Sequence, residues 1–347
     1  MKFEPSGGYL HDILEQPQAL EATHRSLEQE FDLKGLPRDL QNGKFRRIIL
    51  TGMGSSHHVF YPLYYQLLQA GLPITQIETS ELIHYAPALV QSDTLVIAAS
   101  QSGRSAEILG LLDLAEQSHA NLLGVTNTPG SPLDLRASAR LMTSAGDEFT
   151  VSCKTYVAAL LALRWLQDGL LGKELSRARA ESFAIASAVK AYLEHWQEHV
   201  DTLLDEIHDF RTVFYAGRGP SLAAALTGGL TTEESAHFQA EGMSCAALRH
   251  GPVEMIGPGS FVMVFEGPIS TRLLNISLAN ELAAAGATVG LVGNHHSHGV
   301  YSLPPVPESL LPILEILPVQ MLTLALSQVQ GHTAGEFERG SKVTIKE

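Results

Sequence analysis

The chain has 347 residues, 45% of them hydrophobic and 17% charged, with 30 Gly and 17 Pro. This composition supplies a core and excludes a disordered chain or a collagen-like fibre, and the length predicts two domains. Lys and Arg number 23 against 37 Asp and Glu, a net charge of −14 that speaks against nucleic acid or a membrane surface as partner. Two cysteines, Cys153 and Cys245, are too few for a disulfide scaffold or a thiolate zinc site. The segment Met1–Pro5 lacks the apolar centre of a signal peptide, and no run of 18 uncharged apolar residues occurs. A cytoplasmic chain without a membrane span is the expectation.

Residues 8–35 read as a helical extension broken at Pro17. Continuous apolar runs at Ile48–Thr51, Leu95–Ala99 and Leu122–Thr126 predict parallel strands buried on both faces. Helical patterns at His57–Ala70, Ser105–Gln117 and Tyr156–Leu171 alternate with them. Residues 173–210 read as a packed helical connector. Strands then return at Val213–Gly217, Phe261–Phe265 and Thr288–Val292. This alternation predicts an α/β fold with doubly wound parallel sheets flanked by helices, a three-layer flavodoxin-like or Rossmann-like sandwich.

The two halves echo each other. RRIILTGMGSS at 46–56 parallels RTVFYAGRGPS at 211–221, with Gly54 and Gly219 165 positions apart. Val96 and Val262 are 166 apart, and Asn127 and Asn294 are 167 apart. A nearly constant offset argues for duplication of one unit. The expected organisation is an extension at 1–35, a first domain at 36–172, a connector at 173–210, a second domain at 211–330 and a tail at 331–347.

The strongest local motif is Ser100-Gln101-Ser102-Gly103-Arg104-Ser105, which follows a buried strand and opens a helix. Hydroxyls and unpaired N–H groups at a helix start attract anions, and glycine lets backbone approach closely. Gly54-Ser55-Ser56 is a second hydroxyl-bearing turn. The alternative for each turn is plain N-capping by serine; two in one domain point to a phosphate. No G-x-G-x-x-G or G-x-x-x-x-G-K-[ST] motif is present. The pairs His57-His58 and His295-His296, with His298, read as solvated histidines, and no metal is expected.

A strand ending in G-x-G-[ST]-S and another followed by S-Q-S-G-x-[ST] resemble the sugar isomerase (SIS) domain family, in the tandem arrangement of the isomerase half of glucosamine-6-phosphate synthases. Further matches lie at Ile13–Pro17, Glu78–Glu81, Thr126–Ser131, Gly146-Asp147-Glu148, Ala216–Gly219, Leu248–Pro252 and Ser341–Thr344. The resemblance implies two tandem SIS domains. It places phosphate on Ser55, Ser56, Ser100, Gln101, Ser102 and Ser105, with Gly54, Val151 and Ser152 as further substrate contacts. Arg104 stands where the family often has Glu or Asn. Glu234, sixteen residues before His250, matches the family's proton-transferring glutamate, and His250 its ring-opening histidine. Read alone, the first is a solvated helix residue and the second a helix C-cap. Lys342 matches a tail lysine able to form an imine with the open sugar.

Thr231 stands where the synthases carry an active-site lysine, and the loop Val151-Ser152-Cys153-Lys154 is shortened. Position 2 is Lys rather than a nucleophilic Cys, and a glutamine-hydrolysing domain is not expected. The resemblance therefore implies an amino-sugar-phosphate deaminase needing no cofactor, converting glucosamine 6-phosphate and water to fructose 6-phosphate and ammonia. It also implies a homodimer whose sites share His250 across subunits. Alternatives are another phosphosugar isomerase, a fructosamine-6-phosphate deglycase and, in a different class, a non-catalytic sugar-phosphate sensor.

Overall fold

The computed structural model describes residues 7–207, 210–294 and 299–342. The chain opens with α1 (Gly8–Leu14), α2 (Gln16–Glu30) and α3 (Leu36–Gln41). There follow β1 (Arg47–Thr51), α4 (Ser55–His58), α5 (Tyr61–Gln69), β2 (Ile74–Gln76), α6 (Thr79–Tyr85), β3 (Thr94–Ala99) and α7 (Ala106–Ser118). Next come β4 (Asn121–Thr126), α8 (Pro132–Arg136), β5 (Ala139–Met142), α9 (Lys154–Leu170), α10 (Ser176–Leu193) and α11 (Trp196–Glu206). The remainder is β6 (Thr212–Gly217), α12 (Leu222–Ala236), β7 (Ala240–Ser244), α13 (Cys245–Arg249), β8 (Ser260–Phe265), α14 (Arg272–Ala284), β9 (Thr288–Val292) and α15 (Leu311–Gln330). Pro17 falls in the first turn of α2, where its missing N–H costs no helical bond.

Two all-parallel sheets form, ordered β2-β1-β3-β4-β5 and β7-β6-β8-β9. The second repeats the first strand for strand and lacks only a counterpart of β5. Parallel strands with helical crossovers are buried on both faces, which is why β3 and β8 are wholly buried along their length. On one face of the first sheet, Ile49, Val96 and Ala98 pack against Ile108, Leu111 and Leu112 of α7. Phe214, Val262 and Val264 meet Leu278 and Leu282 of α14 in the same way on the second.

Among the described residues, contacts divide the chain into two units. The first holds residues 18–147, 154–183 and 341–342 and carries the first sheet. The second holds 7–17, 148–153 and 184–340 and carries the second sheet. The units interleave in sequence, so neither the N-terminal extension nor the connector stands as a separate body. Within the second unit, Glu308–Gln330 is long and apolar enough to cross a membrane by length and composition alone. Its side chains are buried against α11 and α12, and a core helix surrounded on all sides is apolar on all sides.

Candidate functional site

The first sheet has the order 2-1-3-4-5, whose connections leave in opposite directions from β1 and β3. A crevice therefore opens at the carboxyl ends of these neighbours, and ligands of such sheets bind there. Thr51 and Ala98 are paired partners near those ends. Beyond β1 the chain turns at Gly54, with φ 53°, into Ser55 and Ser56. A side chain at Gly52 would collide with the Ser56 carbonyl, so the turn is closed by backbone touching backbone. Beyond β3 runs the loop Ser100–Ser105. The structure thus brings Gly54, Ser55, Ser56, Ser100, Gln101, Ser102 and Ser105 to adjacent strand ends of one unit.

The Ser100–Ser105 loop is held from behind. The Gln101 carbonyl accepts hydrogen bonds from the Asn127 N–H at 3.2 Å and from the Thr126 and Thr128 hydroxyls at 3.3 and 3.0 Å. Ser100 Oγ accepts from the Gly103 N–H at 3.1 Å, and the Gly103 carbonyl accepts from the Leu133 N–H. Gly103 has φ 61°, and a Cβ there would lie 2.3 Å from Ser131 Oγ. The Thr126–Ser131 segment was visible as a motif, but its bracing role was not; only pairing of β3 with β4 creates it.

Ser105 is the N-cap of α7, yet its side chain makes no capping bond. Ser131 and Ser244 do cap their helices, accepting from Asp134 N–H and Ala247 N–H. The Ser105 hydroxyl is therefore not consumed by the helix it opens, which favours the anion reading over the capping one. Arg104 is exposed and folds back, its Nε donating to the Ser102 carbonyl at 3.4 Å. His57 and His58 are half-buried in α4 rather than solvated, a correction to the sequence reading. Burial, and then His57, push His58 down to about 4. His295, His296 and His298 lie outside the described residues.

Glu234 belongs to the second unit, in the last turn of α12, which ends at His237 in the left-handed region with φ 48°. Burial, then Glu148, then Glu233 raise its carboxyl to about 7. The negative end of a helix disfavours carboxylates as well. Glu234 is half-buried, which speaks against the solvated-face alternative. Val151 and Ser152 lie in the same unit, in a turn where Glu148 Oε1 accepts from the Cys153 N–H at 2.9 Å. That turn is fastened to α1 by the Phe149 N–H, which donates to Asp12 Oδ2. In the sequence Glu148 stands only within the Gly146-Asp147-Glu148 motif, with no local signal of a task.

His250 follows α13 and is exposed, its N–H donating to the Ala247 carbonyl. Helix α12 runs back from the end of β6 to the start of β7, so Glu234 stands at the amino edge of the second sheet. His250 comes after the carboxyl end of β7. Five strand residues separate the two edges, roughly 16 Å at the usual rise. Within one chain the structure does not bring Glu234 and His250 together. Lys342 belongs to the first unit and is partly buried, and the residues after it lie outside the described ones.

Residues 43–166 match the SIS domain family. A glutamine–fructose-6-phosphate aminotransferase [isomerizing] of Pyrococcus horikoshii is 31% identical over 96% of this chain and 57% of its own length. The chain thus spans little more than half of that relative. The structure of a tagatose-6-phosphate ketose/aldose isomerase from Escherichia coli superposes with a TM-score of 0.82 at 19% identity, covering 96% of both chains. That of a glucosamine-6-phosphate deaminase from Thermotoga maritima gives 0.76 at 18%, covering 94% of this chain and 96% of that one. The chain carries an SIS domain at residues 43–166 and is a homologue of the part of the glutamine–fructose-6-phosphate aminotransferases that it spans.

Proposed function

We propose that the chain is a phosphosugar isomerase-type enzyme of tandem SIS architecture that moves a proton between C1 and C2 of a sugar phosphate, and that it deaminates an amino sugar phosphate. Glucosamine 6-phosphate and water would give fructose 6-phosphate and ammonia. The observation that carries the reading is Glu234, a carboxyl held at about 7. A general base is most effective when it titrates near the working pH, because it must both take and return the proton. The hydroxyl crevice of the first sheet supplies the anion site that a sugar phosphate needs. The nitrogen chemistry is supported by names alone: the relative from P. horikoshii couples fructose 6-phosphate to amino transfer, and one structural neighbour is a glucosamine-6-phosphate deaminase.

In this reading Ser55, Ser56, Ser100, Gln101, Ser102 and Ser105 hold the phosphate. Val151 and Ser152 line the sugar, Glu234 shuttles the proton, and Lys342 engages C2 of the open chain. His250 assists ring opening from a partner subunit, since strand β7 separates it from Glu234 within its own chain. A second reading, isomerisation of another phosphosugar without nitrogen release, is favoured by the equally extensive superposition on a ketose/aldose isomerase.

The experiment is a panel of hexose and hexosamine 6-phosphates in deuterated buffer, followed for ammonia and for exchange at the carbon-bound hydrogen. Deamination predicts ammonia only from the hexosamine. Exchange without ammonia would select the second reading. Neither, with tight binding retained, would leave a sensor.

A further inference from the structure

We propose that Glu148 is a positioning residue for Glu234, its buried carboxylate supplying the negative charge that lets Glu234 take up a proton and return it within one cycle. The proposal rests on the isomerase reading of Glu234. Its basis is a cluster built by three separate segments of the second unit. The Thr150 hydroxyl donates to the Gly335 carbonyl, and the Gly335 N–H donates to the Ser235 carbonyl at the end of α12. Gly335 has φ 79°, and a Cβ there would lie 2.6 Å from the Cβ of Tyr9. The 148–153 turn, α1 and the 332–335 segment thus converge on the last turn of α12, where Glu234 sits.

Glu148 is held still in this cluster. It is 9% exposed, and Oε1 accepts from the Cys153 N–H across the base of its own turn. Asp12, from α1, pins the adjacent Phe149 N–H. A carboxylate so fixed cannot swing away from a like charge, and two carboxylates sharing a site cannot both ionise freely. Of the charged neighbours acting on Glu234, Glu148 comes before Glu233, the adjacent residue on its own helix. Glu241 on β7 acts on Glu233. Tyr9 reaches Ser235, and Cys153 reaches Tyr9. His237 and His332 stack at the helix end with ring centroids 4.8 Å apart, and Glu338 is 3.9 Å from His237. Among these groups, the turn bearing Glu148 is the one that also carries the expected sugar contacts Val151 and Ser152. Substrate binding and proton affinity at Glu234 are therefore linked through one short segment.

The test is Glu148→Gln, which keeps shape and the acceptor for the Cys153 N–H but removes the charge. With glutamate labelled at its carboxyl carbon, the Glu234 resonance is identified by its loss in Glu234→Gln and titrated without substrate. The expected result is a midpoint about one pH unit lower in Glu148→Gln, with the acidic limb of kcat/KM moving by the same amount. If Glu148→Gln folds poorly, Glu148→Asp withdraws the charge without deleting it and should move the midpoint less, in the same direction. An unmoved Glu234 midpoint in either folded variant overturns the proposal whatever happens to the rate. A lowered midpoint in a protein that turns over no sugar phosphate sinks the isomerase reading instead and leaves the Glu148–Glu234 coupling standing.

Discussion

The two sheets share strand order and glycine placement, yet their switch-point crevices are chemically opposite. In the first, Gly54 and Gly103 at φ 53° and 61° shape two turns lined with serine hydroxyls. In the second, Gly219 and Gly267 stand in the corresponding places at φ 56° and 65°. There the turn after β6 is filled from within: Ser221 Oγ donates to Glu315 Oε1 of α15 at 2.8 Å. Arg218 is engaged by Asn275 Oδ1 at 2.9 Å, and Glu266 is buried after β8. Burial pushes the Glu315 carboxyl up to about 8. A phosphate entering there would find the Ser221 hydroxyl already given to Glu315 and Arg218 already held by Asn275, so neither is offered to it. The same backbone device makes a candidate anion site in one half and a sealed core in the other. Glu234 stands at the opposite, amino edge of the second sheet.

The largest effect should come from that opposite edge. Glu234→Gln keeps shape and loses the base, so turnover should fall about 10²–10⁴-fold with little change in KM. Carbon-bound hydrogen exchange should fall with it; exchange at the wild-type rate would move the base elsewhere. Mixing Glu234→Gln subunits with His250→Ala subunits should restore about a quarter of the sites in a dimer with shared sites. Mixtures no more active than their parents would exclude sharing.

Next in size is a matched pair across the two crevices. Ser102→Ala should raise KM for the sugar phosphate by about 10–150-fold, the worth of roughly 1.5–3 kcal/mol for a hydroxyl bonded to a charged group. Turnover should hold, because the phosphate does not react. Ser221→Ala should leave KM alone and lower thermal stability, since Glu315 loses its partner. Equal KM effects from both would break the contrast between the crevices.

A smaller effect separates the paired glycines. Gly103→Ala and Gly267→Ala each force alanine into the left-handed region, at about 1–2 kcal/mol. The added Cβ lies 2.3 Å from Ser131 Oγ at the first and 3.1 Å from Ser221 Oγ at the second. Melting should show the larger loss for Gly103→Ala, and calorimetric titration with inorganic phosphate should show weakened binding for it alone.

The smallest prediction concerns pH. An unfolded Glu315 titrates near 4.5 and the folded one at about 8. Between these values the native state keeps a proton that the unfolded state has released, so stability falls as pH rises through that window. Glu315→Gln keeps an acceptor for Ser221 and has nothing to titrate. Its melting temperature should gain on the wild type as pH rises from 5 to 8; parallel curves would show that Glu315 ionises freely.

Much of this was legible in the chain itself. Central strands declare themselves because burial on both faces demands unbroken apolar runs, as at Leu95–Ala99 and Phe261–Phe265. The glycine turns declare themselves because few other residues accept a positive φ. The near-constant offset between halves then implied two equivalent sheets. Strands β2, β5 and β7 escaped notice. Each is a sheet edge of three to five residues with polar members, as in AEGMS at Ala240–Ser244, and one neighbour on one side asks for no apolar run.

What the chain could not disclose is what lies beside what. That Thr126 and Thr128 brace the Gln101 carbonyl depends on the pairing of β3 with β4. That Glu315 closes the second crevice depends on α15 returning 94 residues after Ser221. Glu234 is half-buried with its carboxyl pushed up to about 7, rather than a solvated helix residue, because the body of the second unit covers it and, after that, Glu148 acts on it. Local pattern records how a residue satisfies its own backbone and its own face of a helix or strand. Proton affinity and anion binding are set by charge and water within a few ångströms, and those neighbours are chosen by the fold.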